Sequence, residues 1–445
     1  MAENFTNFLH SESRAVNARN LAIGLIWALF EWLAPHALAA QPETPNVVMI
    51  IGDDQAWGDF RFMGHPVIRT PNLDRLASES ALFRRGYVPS SLCRPSLATL
   101  ISGLYPHQHK IAGNDPAAGT DRTKMLRHVR RIPTLPRLLS SGGYLSHQSG
   151  KWWEGSHKEG GFTAGMTHGD TARGGRHGDE GLKIGREGLQ PVFDFVDGCN
   201  GRPFFVWYAP FLPHTPHNPP GQLLDKYVSA QRPVELSRYF AMCEWFDETC
   251  GTLLDGLESR DLAANTLVVF VTDNGWIQRT PDTDVPEGWK FKFAPRSKRS
   301  PHEGGVRTPI MLRWPGKIPP AEFDVPISSI DLAPTLLAAC GLAPPPELPG
   351  TNLLPLVKDG ESLQRGPVFG EIFGHDVPNL DRPADGLQYR WCVDGRWKLI
   401  VPANSALPVE LYNLQSDPHE TQNVAGDHPD ETERLNRQLD AWWKT

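Results

Sequence analysis

Residues 45–54 read PNVVMIIGDD, and this stretch decides the fold. Its apolar run has no alternating polar positions, so both faces must be covered, as in a central parallel strand buried between helices. Two acids, Asp53 and Asp54, close the run. The same design returns at 265–275, NTLVVFVTDNG, where Asp273 and Asn274 follow a β-branched run. A third run, RPFFVWYAPFLPH at 202–214, ends in His214. In open α/β sheets ligands gather at the carboxyl ends of strands, so the two acidic ends are expected to meet in one crevice. Helical patterns lie between the strands, most clearly over 236–261. The expected fold is α/β: a mostly parallel central sheet flanked by helices, with a small C-terminal α+β subdomain.

The chain has 445 residues, enough for a large α/β domain and a smaller one. Its 40% apolar and 21% charged residues are those of an ordinary globular protein. A net charge of −7 speaks against a nucleic-acid partner. Fourteen tryptophans suit a protein that binds sugars or flat ligands, although most belong in a core of this size. Residues 1–40 read as an export signal: Arg14 and Arg19 precede LAIGLIWALF, and HALAAQ offers cleavage after Ala39. That apolar run is short for a membrane span, and an uncleaved membrane anchor, motivated by the long leader with Glu31 in its apolar region, is the second reading. The expectation is a secreted or periplasmic protein with a catalytic domain over 41–365 and a subdomain over 366–445.

Six cysteines stand at 93, 199, 243, 250, 340 and 392. Cys243 and Cys250 share one helical pattern and lie about 10 Å apart at helical rise, too far for a bridge. No disulfide scaffold is expected. Residues 155–190 are rich in glycine and histidine without a clean period and read as a long functional loop. PPPELPG at 344–350 leads towards the C-terminal segment, where 387–402 forms a hairpin around Asp394 and Gly395. Residues 430–445 form a closing amphipathic helix.

Three carboxylates and an amide at two strand ends are hard oxygen donors, suited to calcium or magnesium rather than zinc. Carboxylates brought together repel unless a cation joins them. Lys151, in SGKWWEG, Lys298, in SKRSPHEGGVRTP, and His214 and His217, in PHTPH, could bind and protonate an anionic ester beside such a metal. Singly, these are common turn residues, solvated lysines and satisfied histidines. The argument rests on the set.

The motifs IIGDD, CRPSLATLISGLYP, GKW, PHTPH, ANTLVVFVTDNG and KRSPHEGGVRTPIMLRWPG, in this order, resemble those of type I sulfatases, the formylglycine-dependent branch of the alkaline phosphatase superfamily. The ending LYNLQSDPHETQNVA resembles the family's C-terminal subdomain, so the likeness spans 46–445. It implies that Cys93 is converted to formylglycine by a formylglycine-generating enzyme, and that one hydroxyl of the aldehyde hydrate attacks sulfur. It implies calcium held by Asp53, Asp54, Asp273, Asn274 and residue 93. Lys151 and Lys298 would bind the sulfate oxygens, His217 and His302 would contact substrate, and His214 would protonate the leaving alcohol with help from Lys298. The implied substrate is a sulfated carbohydrate or an aryl sulfate.

Two positions depart from the family pattern. Leu97 stands where C-x-P-x-R has its arginine, and Arg94 projects from another side of the helix turn. Trp153 stands where a histidine usually follows the lysine by two; His107, His147, His157, His168 and His177 are the candidates to replace it. These departures motivate a second reading, a catalytically silent homologue that binds sulfated glycans. A third is a phosphate or phosphonate ester hydrolase on the same fold, although Cys93 in its Pro-Ser context favours the sulfatase.

Overall fold

The run that opens the chain's argument forms strand β1 (Asn46–Gly52), buried along its whole length. The computed structural model describes residues 44–443 apart from 171, 173 and 174, so the expected export signal over 1–40 lies outside the described residues. Five further strands build the central sheet: β2 (Ala81–Tyr87), β3 (Leu145–Gly150), β4 (Phe204–Ala209), β5 (Thr266–Thr272) and β6 (Arg307–Arg313). Their order is β2-β6-β5-β1-β4-β3, with short strands at Ile327–Ser328 and Ala321–Phe323 beside β2 and at Ala164–Gly165 beside β3. β1 pairs in parallel with β4 and β5, and β3 with β4. β6 runs antiparallel to both β2 and β5, so the sheet is mostly, not wholly, parallel.

Alternation along the strands divides the core into two layers. Val47, Met49 and Ile51 of β1 and Leu267, Val269 and Val271 of β5 pack in one cluster; Val48, Ile50, Val268 and Phe270 pack in the other. Helix α1 (Cys93–Ser102) covers the first layer through Leu97, Leu100 and Ile101. Helix α2 (Val234–Glu258) covers the second through Met242, Phe246, Cys250 and Leu253. The sequence pattern carried α2 on to Asp261, but the helix stops at Glu258 and Asp261 turns left-handed at φ 55°.

The C-terminal segment is an antiparallel sheet of β7 (Val368–Phe373), β8 (Leu387–Asp394), β9 (Trp397–Pro402) and β10 (Glu410–Asn413). The β8–β9 hairpin turns through Gly395, at φ 56°, as the Asp394-Gly395 pair predicts. Helix α3 (Pro429–Trp442) closes the segment, burying Leu435 and Leu439 against Cys392, Leu399 and Leu411. All six cysteines are free and buried. Among the described residues no helix is long and apolar enough to cross a membrane.

Candidate active site

The two acidic strand ends do meet. β1 and β5 are neighbours in register, Gly52 beside Thr272, so the residues that follow each strand emerge side by side. The Asp54 amide donates to Asp273 Oδ1 at 3.1 Å, and Asn274 Nδ2 donates to Asp54 Oδ1 at 2.7 Å. Asp54 takes a left-handed φ of 61°, a strained conformation for a non-glycine residue, which persists only where its surroundings fix it. A Cβ on Gly275 would stand 2.0 Å from the Gly304 carbonyl oxygen. That glycine therefore lets the segment carrying Lys298 lie directly against the end of β5.

Both lysines reach the acids. Gly150, at φ 86°, ends β3 so tightly that a Cβ there would sit 1.9 Å from the Ala209 carbonyl oxygen. This turn aims Lys151 inward, with Nζ 2.5 Å from Asp53 Oδ1 and 3.4 Å from Asp273 Oδ2. Lys298 Nζ lies 2.5 and 2.7 Å from the two oxygens of Asp54 and 3.1 Å from Cys93 Sγ. Burial opposes the charge of Asp54, but Lys298, His214 and Lys151 outweigh it and hold this carboxylate below its ordinary range. Asp53 goes the other way: burial, with Asp273 and Asp54 adding to it, raises its pKa despite Lys151. Burial likewise pushes the Cys93 thiol up to about 12, against the pull of the two lysines. An unmodified thiol there is a poor nucleophile at neutral pH.

With Asp53 ionised, three carboxylates face two ammonium groups, and one negative charge is unmatched by this set. Asp53 Oδ2 and Asn274 Oδ1 are buried without a hydrogen-bond partner. Ligand atoms of Asp53, Asp54, Cys93 and His214 lie within 4.8 Å of one another, with Asp273 one step away against Lys151 and the Asp54 amide. Orphaned hard oxygens and surplus negative charge are what a divalent cation of the calcium type satisfies, so the donor set fits it.

Over this floor opens a pocket of about 340 Å³, lined by Cys93, Lys298 and His214. His214 Nε2 faces Asp54 Oδ2 at 3.3 Å, its Nδ1 pairs with the Thr215 carbonyl at 2.6 Å, and its ring stacks on Phe211 with centroids 4.2 Å apart. Trp153 forms a wall. Arg122 and Arg176 lie over its ring at 5.3 and 5.2 Å, and Asp115 pairs with both guanidinium groups. Of the five histidines weighed for the place of the family histidine, His177 is the one in the pocket, meeting Trp153 edge-on at 4.6 Å. Burial, with Lys151 and Arg176, lowers its pKa to about 3, so it is neutral. His107 pairs with Glu371 at 3.0 Å, His147 is buried against Phe195, and His157 and His168 pack together in their own loop.

Arg94 does not face the pocket: its guanidinium meets Glu154 at 2.6 Å and donates to the carbonyls of Gly113 and Met125. Leu97 is in the core. The arginines that do line the pocket are Arg176 and Arg299, the latter next in sequence to Lys298. His217 lies in the neighbouring cavity, its ring 5.3 Å from Tyr239. His302 is placed elsewhere, with Nε2 3.1 Å from Glu410 in the C-terminal sheet. Sequence reasoning missed His375, Asn114 and Trp276, which also line the pocket. His375 arrives because the strand pair Asp115–Pro116 and Asp376–Val377 ties the C-terminal segment to the cleft, a contact with no local signal.

Comparison with known proteins agrees with this geometry. A sulfatase family model matches residues 45–342, and a model of the N-sulphoglucosamine sulphohydrolase C-terminal part matches 293–443. An N-acetylgalactosamine-6-sulfatase of Canis lupus familiaris is 30% identical over 393 residues, covering 77% of this chain and 72% of its own length. Human arylsulfatase A is 28% identical, covering 88% of this chain and 85% of its own. A crystal structure of Ps i-CgsB superposes with a TM-score of 0.71 at 24% identity, covering 90% of this chain and 93% of that one, which speaks to the fold. With the acidic strand ends, the lysine pair and Cys93 converging as they do, the chain belongs to the type I sulfatases of the alkaline phosphatase superfamily, hydrolases of sulfuric esters.

Proposed function

We propose that this sulfatase hydrolyses sulfate esters of carbohydrates through a formylglycine made from Cys93, with calcium held by Asp53, Asp54, Asp273, Asn274 and residue 93. The observation that carries the reading is Cys93 at the first turn of α1, 3.1 Å from the Lys298 ammonium and beside the orphaned oxygens of Asp53 and Asn274. A helix N-terminus favours developing negative charge, which suits a hydroxylated residue better than a neutral buried thiol. Formylglycine hydrate supplies a hydroxyl nucleophile and a second hydroxyl through which the sulfate can later be released, and bound calcium supplies the positive charge that stabilises both. The relation to N-acetylgalactosamine-6-sulfatases supports a sulfated sugar as substrate.

The chain's own residues do the rest. Lys298, which lines the pocket beside Cys93, would offer its ammonium protons to the sulfate oxygens, and Lys151, buried against Asp53, would add positive charge to the same site. His214, its Nδ1 against the Thr215 carbonyl, presents Nε2 above Asp54; in the imidazolium form, which burial and the two lysines oppose and Asp54 favours, it can pass the Nε2 proton to the departing sugar oxygen. Trp153, with Arg122 and Arg176 over its ring, forms one side of the pocket. We further propose an exported, secreted or periplasmic location from the leader pattern at 1–40.

Peptide mass spectrometry across Cys93, on protein made with and without a formylglycine-generating enzyme, tests the reading alongside sulfate release from galactosamine sulfates, aryl sulfates and phosphonate esters. Aldehyde at residue 93 with sulfate release is the expected outcome. An unmodified thiol in active-host protein that still binds sulfated glycan would replace it with the silent binding homologue. Faster turnover of phosphonate esters would move it to that class.

A further inference from the structure

We infer that a cationic groove beside the reactive pocket binds additional anionic groups of a sulfated oligosaccharide, so that the protein grips several sugar units and not one sulfated residue alone. The inference rests on the carbohydrate reading above and names what lies beyond its sulfate site. The reactive pocket, about 340 Å³, meets a second cavity of about 550 Å³, and Thr215, Lys290, Phe291 and Lys292 line both. The first volume is near the lower end of small-ligand cavities, roughly 300–1,000 Å³, so a longer substrate must continue into the second.

The second cavity is charged for an anion. Arg238, Arg279, Lys290 and Lys292 line it against one carboxylate, Glu235. Among the described residues none of these four cations is in an ion pair, whereas Arg122 and Arg176 beside the reactive pocket both pair with Asp115. The whole chain carries a net −7, so a run of unmatched cations is not its background. Like charges held together without partners repel, and a groove that keeps them is stabilised when an anion enters. At the junction, Arg299 takes a left-handed φ of 68°, stacks over Phe291 at 4.6 Å and leaves a buried Nε without a partner. Phe291 itself is 37% exposed. With Arg299 over its ring and Phe293 stacked alongside, the part left exposed offers an apolar contact to a sugar ring between the two anionic positions.

The groove's position is also built. Arg279 donates to the carbonyls of Trp289 and Phe291 at 3.0 and 3.3 Å, and residues Gln278 and Phe293 form a bridge, so the segment carrying both lysines is fixed. Arg238 projects from the first turns of α2, a separate rigid element. The ligand chemistry is a second anion displaced from the reacting sulfate; either a further sulfate ester or a uronate carboxylate supplies it.

The test is calorimetric binding to full-length protein carrying Cys93→Ala, which cannot hydrolyse the probes. The probes are N-acetylgalactosamine 6-sulfate, a chondroitin 6-sulfate hexasaccharide and the same hexasaccharide with its carboxylates reduced. The hexasaccharide should bind about tenfold or more tightly than the monosaccharide, as two or three partly exposed ion pairs allow. Adding Lys290→Ala and Lys292→Ala should remove most of that advantage, as should roughly 1 M salt. Arg238→Ala repeats the test outside the lysine segment. If carboxyl reduction abolishes the advantage, uronates fill the groove; if the advantage survives, sulfates do. Equal affinities for monosaccharide and hexasaccharide, or an advantage untouched by the lysine and arginine variants, would overturn the inference. Failure of the hydrolase reading appears separately, as absent turnover of 4-nitrophenyl sulfate by mature protein with the groove's binding intact.

Discussion

Replacing Lys298 with alanine isolates the electrostatics of the site. Its Nζ contacts both oxygens of Asp54, at 2.5 and 2.7 Å, and the side chains are 8% and 2% exposed. Removing one partner of a buried ion pair destabilises by about 3–5 kcal/mol. Asp54 can escape by taking up a proton, which at pH 7 costs about 4 kcal/mol for a carboxylate of ordinary pKa. The two figures agree, and Lys151 and His214 remain nearby, so about 3 kcal/mol is expected in chelator. At this chain length that corresponds to roughly 3–4 °C in Tm. The sign with pH follows from the direction of the shift. In the native protein Asp54 is depressed, so its pairing is fully present above the ordinary carboxylate pKa and fades only below it, whereas the proton uptake that relieves the variant becomes cheaper as pH falls from 7 towards that pKa. The deficit of Lys298→Ala should therefore be largest at pH 7 and shrink towards pH 4. Calcium should narrow it too, because the cation takes over the charge of Asp54. Scanning calorimetry in chelator and in calcium, at pH 7 and pH 5, reads all three effects. A Tm in chelator within 1–2 °C of wild type at pH 7, or a deficit independent of pH, would refute the pairing argument.

Asp273→Ala should abolish activity and remove the rise in Tm that calcium produces in the wild type, about 2.7 kcal/mol at a hundredfold excess over Kd; a wild type that melts alike in calcium and chelator would end the metal reading. His214→Ala should slow alkyl sulfates by about 10²–10⁴-fold while sparing aryl sulfates with good leaving groups. Equal losses on both would shift proton donation to Lys298. Asp59, which accepts from the Tyr239 hydroxyl at 2.5 Å and the Ala56 amide at 3.0 Å, is raised by burial to about 7. A raised carboxylate contributes stability at low pH that is lost between pH 4 and 7, so Asp59→Asn should be less sensitive than wild type to a change from pH 5 to pH 8. Identical pH dependence of Tm in the two proteins would contradict this.

What lay within a few residues of chain could be read directly. The buried runs at 46–52 and 266–272 each carry their acids at the next position, and a parallel sheet places such ends together, so Asp53, Asp54, Asp273 and Asn274 were legible before any coordinates. Cys93 at the start of a helix and Lys151 after a glycine turn were legible for the same reason: turn geometry is local. The hairpin at Asp394-Gly395 followed from the backbone freedom of one glycine.

The sides of the pocket were decided only by tertiary packing. Which histidine stands beside Trp153 depends on how a long, aperiodic loop folds back onto β3, and three of the five candidates, His157, His168 and His177, lie in that loop. Which arginine faces the cleft depends on side-chain direction: Arg94, one residue from Cys93, turns to a buried Glu154, whereas Arg299, two hundred residues away, reaches the pocket. His302 belongs to the same motif as Lys298, yet the helical turn that starts after it sends its ring to Glu410. His375 comes from the far end of the chain through a two-residue strand pair. Periodicity and local turns record burial along the chain, but they do not record which distant surfaces pack together, and that packing shapes the cleft where a substrate would be chosen.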